Sequence, residues 1–178
     1  MSSPRILKEN EKETHFLTFR VIEWINVFTE PVYFDKIINI LEFCQKNKGL
    51  LLHAYVIMTN HMHVIVTAKE GNLSSVVRDF KSYTTRELKN SLKNDNRKYI
   101  IRLIKKSFSK RKGQNFQIWH SGNWPVLIES EEFYQQKLDY IHDNPVEKQY
   151  VSQPEHWLYS SARNYYLDDD SVIKVDKI

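Results

Sequence analysis

Hydrophobic and polar positions divide the chain into short strand-like runs and longer segments with helical periodicity. Thr14 to Val21 is dense in β-branched and aromatic residues and predicts a first strand. After Pro31, the apolar residues Ile37, Ile38, Leu41 and Phe43 or Cys44 return at helical spacing up to Lys48, and Gly49 is a natural helix stop. Leu50 to Met58 and His61 to Thr67 predict two strands joined by a short turn at Thr59-Asn60, an antiparallel hairpin. Gly71-Asn72 opens a second helix whose stripe is Leu73, Val76, Val77 and Phe80, fading near Asn94-Asp95-Asn96. Arg97 to Phe108 predicts a basic helix with Ile100, Ile101, Leu103, Ile104 and Phe108 as its apolar positions.

Further on, Phe116 to Trp119 and Val126 to Ile128 flank Ser121-Gly122-Asn123 and predict one more short strand. Ser130 is the expected N-cap of a last long helix, with Glu131 and Glu132 at its positive end. Pro145 disfavours helical geometry at the residue before it and places the end near Asn144. The remainder, with Trp157 and Tyr165, reads as a packed C-terminal extension. This order predicts an α+β fold, a ferredoxin-like antiparallel sheet with helices on one face.

The length of 178 residues suits one domain, and 41% hydrophobic residues suffice for a core. The single Cys44 excludes an intramolecular disulfide and a cysteine-based zinc finger, so a reducing compartment is expected. The N-terminus is polar without the apolar stretch of a signal peptide, and no run approaches a membrane span. A soluble, cytoplasmic protein with no membrane partner is the expectation.

The net charge of +4 hides a strong asymmetry. Arg97, Lys98, Arg102, Lys105, Lys106, Lys110, Arg111 and Lys112 lie in one acid-free segment; without those eight, 18 bases face 22 acids. A local basic excess on a mildly acidic body fits a polyanion such as nucleic acid, and fits a solvated helix face equally well.

Two constellations carry chemistry. On a strand, residues two apart share a face, so His61 and His63 point together while Met62, Val64 and Val66 point into the core. Two imidazoles on one face make two legs of a metal site; they also suit half-exposed polar positions. His15 and His53 read as structural histidines. On the late helix, Gln136, Tyr140 and Asn144 form a polar stripe beside the apolar Tyr134, Leu138 and Ile141. A phenol can attack a phosphodiester once its proton is removed and the phosphate charge is neutralised, and an amide oxygen one turn away can ligate a cation. A surface tyrosine and a helix-ending asparagine are the plainer alternative.

Met58-Thr59-Asn60-His61-Met62-His63-Val64-Ile65-Val66 resembles the HUH motif, two histidines around a hydrophobic residue, of single-tyrosine transposases. Asp139-Tyr140-Ile141-His142-Asp143-Asn144-Pro145-Val146 resembles the tyrosine-helix motif of the REP-associated tyrosine transposases within that IS200-like superfamily, and Trp157-Leu158-Tyr159-Ser160-Ser161 matches the Trp-x-x-Ser-Ser signature that follows it there. The likeness extends from about Phe16 to Tyr165. It implies a polar arm at 1–13, an HUH transposase domain at 14–166 and a polar tail at 167–178. Thr59 stands where the family commonly has proline, so the turn there is expected to differ slightly.

The resemblance implies that His61, His63 and Asn144 bind a divalent metal, Mg²⁺ or Mn²⁺, and that Tyr140 cleaves single-stranded DNA next to hairpins through a covalent 5′-phosphotyrosine. Softness favours Mn²⁺ for imidazole ligands. It further implies single-stranded or hairpin DNA (REP-like palindromes) as partner, a bacterial cytoplasmic setting on the nucleoid, and a monomer in preference to a homodimer, as REP-associated relatives can act alone. Asn144 occupies the place of a second tyrosine, so paired cleavages need a second protomer or sequential turnover. Arg78, Lys81, Lys105, Lys106, Arg111 and Lys112 are the candidate DNA contacts, with Trp119, His120 and Trp124 as stacking candidates. The competing readings are a hairpin-DNA-binding protein that no longer cleaves, and a metal-dependent nuclease with water as nucleophile.

Overall fold

A computed structural model of the protein describes residues 5–108 and 116–178. Strands β1 (His15–Arg20), β2 (Leu50–Ile57), β3 (His61–Ala68) and β4 (Val126–Leu127) form one antiparallel sheet in the order β2-β3-β1-β4. Helices α1 (Pro31–Lys48), α2 (Leu73–Asn94), α3 (Lys98–Phe108), α4 (Glu131–Glu147) and α5 (Ala162–Tyr166) complete the expected α+β architecture. Gly49, in left-handed conformation at φ 65°, ends α1 and turns the chain directly into β2.

Strand alternation divides the interior in two. Leu17 and Phe19 of β1 and Met62, Val64 and Val66 of β3 meet Ile37 and Leu41 of α1 and Val76 and Phe80 of α2 in the main core. Phe16, Ala54, Val56 and Ile65 face the other way and are covered by Leu138 and Ile141 of α4. The expectation of helices on one face is therefore corrected: α4 lies on the opposite side. The cause is in β2 and β3, which are buried at nearly every position and need cover on both faces. A register shift between Leu52 and Ala54 leaves His53 at the irregularity, where its Nδ1 lies 2.6 Å from the Asp176 carbonyl and its Nε2 2.8 Å from Thr67 Oγ1. His53 and His15, whose Nδ1 meets the Glu13 carbonyl, are structural histidines.

The sheet borders are covered by the chain's own backbone. Along β2, Ile57 N–H donates to Tyr159 O, Ser161 N–H to Tyr55 O and Asp176 N–H to Leu52 O, at 2.7–2.9 Å. Beyond the short β4, Thr18 N–H donates to Asn123 O, His120 N–H to Arg20 O and Ile22 N–H to Ile118 O. The polar 167–178 segment takes part, carrying Ile173 and Val175 into the main core. Trp119 is buried there too, its indole N–H donating to Thr84 Oγ1 at 2.7 Å, so it does not offer the stacking surface considered above.

Ser130 caps α4 as expected, its Oγ accepting Phe133 N–H. The helix does not stop near Asn144 but continues through Pro145 to Glu147. Pro145 forgoes one hydrogen bond, yet it is buried, and a Schellman closure restores the next turn: with Gln149 left-handed at φ 59°, Tyr150 N–H reaches Pro145 O and Gln149 N–H reaches Val146 O. Asn144 is thereby a buried helical residue with Tyr150 folded back beside it.

The Trp-x-x-Ser-Ser segment fastens α4 to the sheet border. Trp157 Nε1 donates to Ile57 O at 3.0 Å; Ser161 Oγ accepts Tyr55 N–H at 3.0 Å and lies 2.9 Å from Nε2 of His142 on α4. His142 is buried and its Nδ1 has no partner. Ser161→Ala leaves two further buried polar groups unpaired and should cost about 1–3 kcal/mol in urea unfolding. A loss under about 0.5 kcal/mol, the usual effect of an uncoupled surface change, would show that this strut is unimportant.

Candidate active site

The site lies where α4 crosses β3 and β1. The β1–β3 register sets Thr18 directly across from His63 and Arg20 across from His61, all on the α4 face. His61, His63, Tyr140, Asn144 and Thr18 line one open cleft of about 570 Å³, with Asn60, Glu147, Lys148 and Tyr150 at its walls. The Tyr140 oxygen stands 3.5 Å from His63 Nε2, and the two imidazole centroids are 5.0 Å apart. Phe16 stacks on His63 at 5.3 Å and meets Tyr140 edge-on at 5.9 Å, wedging strand and helix at a fixed separation.

Hydrogen bonds orient the imidazoles. The Asn60 amide N donates to Asn26 Oδ1 at 2.9 Å and to the Trp24 carbonyl at 3.2 Å, so its Oδ1 is the atom that faces His61 Nδ1 at 2.8 Å. That contact places the His61 proton on Nδ1 and leaves Nε2 as a lone pair. Thr18 Oγ1 lies 2.9 Å from His63 Nδ1 and holds the ring's orientation. Thr59 fits the turn without proline, its hydroxyl donating to Asn26 Oδ1 while its carbonyl accepts Phe28 N–H.

Burial decides the protonation states. It pushes His61 down to about 4, the adjacent Asn144 amide partly offsetting the shift and the Lys148 charge adding to it. Burial, with the charges of His61 and Lys137, pushes His63 down to about 3. Both rings are therefore neutral near pH 7. Tyr140 is shifted upward, by burial first and the Glu147 charge second, against the pull of Asn144. Its phenol keeps its proton at neutral pH.

Asn144 Oδ1 is buried and accepts no hydrogen bond. A buried amide oxygen without a partner, in one cleft with two neutral imidazoles, fits a cation of intermediate softness. Among the described residues no three His, Cys, Asp or Glu side chains group around a metal position, so an amide is the third protein donor at hand.

Neutral buried imidazoles give stability a definite pH dependence. Unfolded histidines bind protons near 6.5, folded His61 and His63 only near 3–4, so between these values the unfolded chain holds more protons. Their contribution is complete above 6.5 and is lost as pH falls toward 4. The urea midpoint of metal-free protein should drop from pH 7 to pH 5, by up to about 1.4 kcal/mol per pH unit for each imidazole. A flat midpoint across that range would contradict the burial.

The other candidate residues lie elsewhere. Arg78, exposed on α2, pairs with Asp79 and Ser75; Lys81 donates to the carbonyls of His120 and Ser121, and burial pulls its ammonium down to about 8. Both line a second cleft of about 620 Å³ with Arg5 and Trp119. Lys105 and Lys106 are exposed on α3, while Arg111 and Lys112 lie outside the described residues. Gln136 is exposed on α4 and does not line the Tyr140 cleft. Sequence reasoning missed Thr18 and Asn60, which only the strand register and the turn bring to the histidines.

Residues 12–112 match the family described as transposase IS200-like, more than half the chain, and the protein belongs to that family. The matched segment contains both histidines; α4 lies beyond it. Over 130 residues the chain is 28% identical to the REP-associated tyrosine transposase of Escherichia coli (strain K12), covering 70% of this chain and 65% of that relative's length. The fold matches a solved REP-associated tyrosine transposase bound to a REP hairpin, with a TM-score of 0.68 and 20% identity over the whole of both chains. Among the described residues no helix is long and apolar enough to cross a membrane.

Proposed function

We propose that this transposase-family protein is an endonuclease and strand transferase that cleaves single-stranded DNA beside hairpins, with Tyr140 as nucleophile and a divalent ion, Mg²⁺ or Mn²⁺, held by His61, His63 and Asn144. The carrying observation is the convergence of Tyr140 on two neutral imidazoles and an orphan amide oxygen in one cleft. A bound divalent ion would supply positive charge to the scissile phosphate and favour ionisation of the phenol.

The chain's own residues do the rest. Asn60 and Thr18 orient the imidazoles, Phe16 wedges Tyr140 toward them, and the open side of the cleft admits a strand. The Tyr140 oxygen bonds to phosphorus, the bond from phosphorus to the 3′-oxygen breaks, and the phenolic proton is balanced by the 3′-hydroxyl formed. The phosphotyrosine keeps the bond energy, so attack by a 3′-hydroxyl rejoins strands without an added energy source. The hairpin bound by the solved structural relative makes REP-like palindromes the natural partner. The direct test is incubation with Mn²⁺ and a labelled hairpin carrying a single-stranded flank: a denaturation-resistant protein–DNA adduct with a free 3′-hydroxyl is expected. Cleavage to a free 5′-phosphate without adduct would favour water as nucleophile, and binding without cleavage would favour a non-catalytic DNA binder.

A further inference from the structure

Beside the cleft, four flat side chains stand in a run that the proposed chemistry does not use. His120 packs on Trp124 at 5.0 Å between centroids, and the Arg20 guanidinium lies over the Trp124 ring at 4.3 Å and over the Trp24 ring at 4.9 Å. Trp24 in turn meets His61 edge-on at 5.8 Å and lines the same cleft as Tyr140. The run starts in the 120–124 loop and finishes at the candidate metal site. Its last member, Trp24, is 52% exposed.

The backbone holds these indoles at a cost. Glu23, Trp24 and Trp124 all have positive φ, 50°, 55° and 39°, in a region that residues with a β-carbon disfavour. Such strain persists where surrounding structure over-determines it. Here it does: Trp24 O accepts from Asn60, the residue that orients His61, and His120 N–H donates to Arg20 O. Arg20 pairs with no carboxylate among the described residues. The basic helix α3 packs against the 22–24 turn that carries Trp24.

We propose that Arg20, Trp24 and Trp124 form a receptor for an unpaired nucleotide of single-stranded DNA next to the scissile position: a base extends the run by stacking on Trp24, and Arg20 takes the adjoining phosphate. This rests on the DNA-cleaving reading of the cleft and adds the subsite that fixes where the strand lies. Base–aromatic stacking is sequence-tolerant, so the receptor sets strand position rather than sequence. A duplex, whose bases are already stacked, is excluded.

The test uses the full chain with Tyr140→Phe, in EDTA, so that binding is read without cleavage. The probe is a ten-nucleotide oligothymidine strand with one 2-aminopurine, whose fluorescence falls on stacking. Quenching is expected for the single strand and not for the same probe in a duplex. Trp24→Ala should remove the quenching and weaken binding about tenfold, within the range measured for one stacked base, while Trp24→Phe retains most of both. Arg20→Gln should lower the salt slope of binding by about 0.7, the value for one phosphate contact on a single strand. Unchanged quenching in Trp24→Ala together with an unchanged slope in Arg20→Gln would overturn the receptor. If Trp24→Ala fails to fold, as circular dichroism would show, the Arg20→Gln slope decides alone. An adduct assay on the Tyr140-containing protein separates the two ideas: adduct without stacking refutes only the receptor, and stacking without adduct refutes only the cleavage chemistry.

Discussion

Tyr140→Phe will abolish the covalent protein–DNA adduct while leaving the protein folded. The ring is 41% exposed, and its hydroxyl makes a long contact of 3.5 Å to His63 Nε2. Removing the oxygen should therefore change stability by less than about 0.5 kcal/mol, as at surface positions with no strong coupling. The chemical loss is of another order. No second tyrosine stands one turn on, since Asn144 is there, and the helix's other tyrosine, Tyr134, is bonded to Tyr165 and does not line the cleft. A drop of more than about 10³-fold, or roughly 4 kcal/mol in the barrier, is the expected reading from a gel of labelled substrate. Adduct surviving in Tyr140→Phe would remove the tyrosine from the mechanism.

The second large effect separates stability from function at Asn144. A buried oxygen without a partner carries its desolvation penalty for nothing in the metal-free protein, so Asn144→Leu should leave the urea midpoint unchanged or raised. The same change removes the third protein donor, and Mn²⁺ affinity by calorimetry should fall at least tenfold, as should adduct yield. Asn144→Asp keeps an oxygen in place and should retain binding. His63→Ala should lose more, about 100-fold or beyond. Asn60→Ala, which acts on His61 through its tautomer, belongs in the 10–100-fold range seen for groups that orient metal-bound histidines. Asn144→Leu that destabilises the protein and leaves Mn²⁺ binding intact would make Asn144 a structural residue.

Local chemistry was readable in the chain; long-range register was not. Period-two alternation put His61 and His63 on one face, Gly49 ended α1, and Ser130 capped α4, because each depends on a few neighbouring residues. The partners of those histidines depend on which residues of β1 fall opposite them, and nothing near Thr18 signals that it meets His63. The path of α4 through Pro145 also escaped the local rule. The rule weighs the missing N–H, whereas burial and the closure by Gln149 and Tyr150 come from the folded surroundings. The same holds for Trp119, which composition offers as a stacking group and the core claims through Thr84. The expectation of helices on one face failed because β2 and β3 are buried on both sides, which α4 covers on the second.

The covered sheet borders have a consequence for assembly. Segments 159–161 and 176 run along β2, and the 118–123 backbone runs along β1, so both flanks of the sheet take backbone hydrogen bonds from the chain's own loops. Two molecules that meet cannot merge their sheets into one continuous ladder at either flank without first peeling away their own wrapping. Side-chain surfaces, or DNA gripped by both copies, are the routes to pairing that leave this wrapping intact.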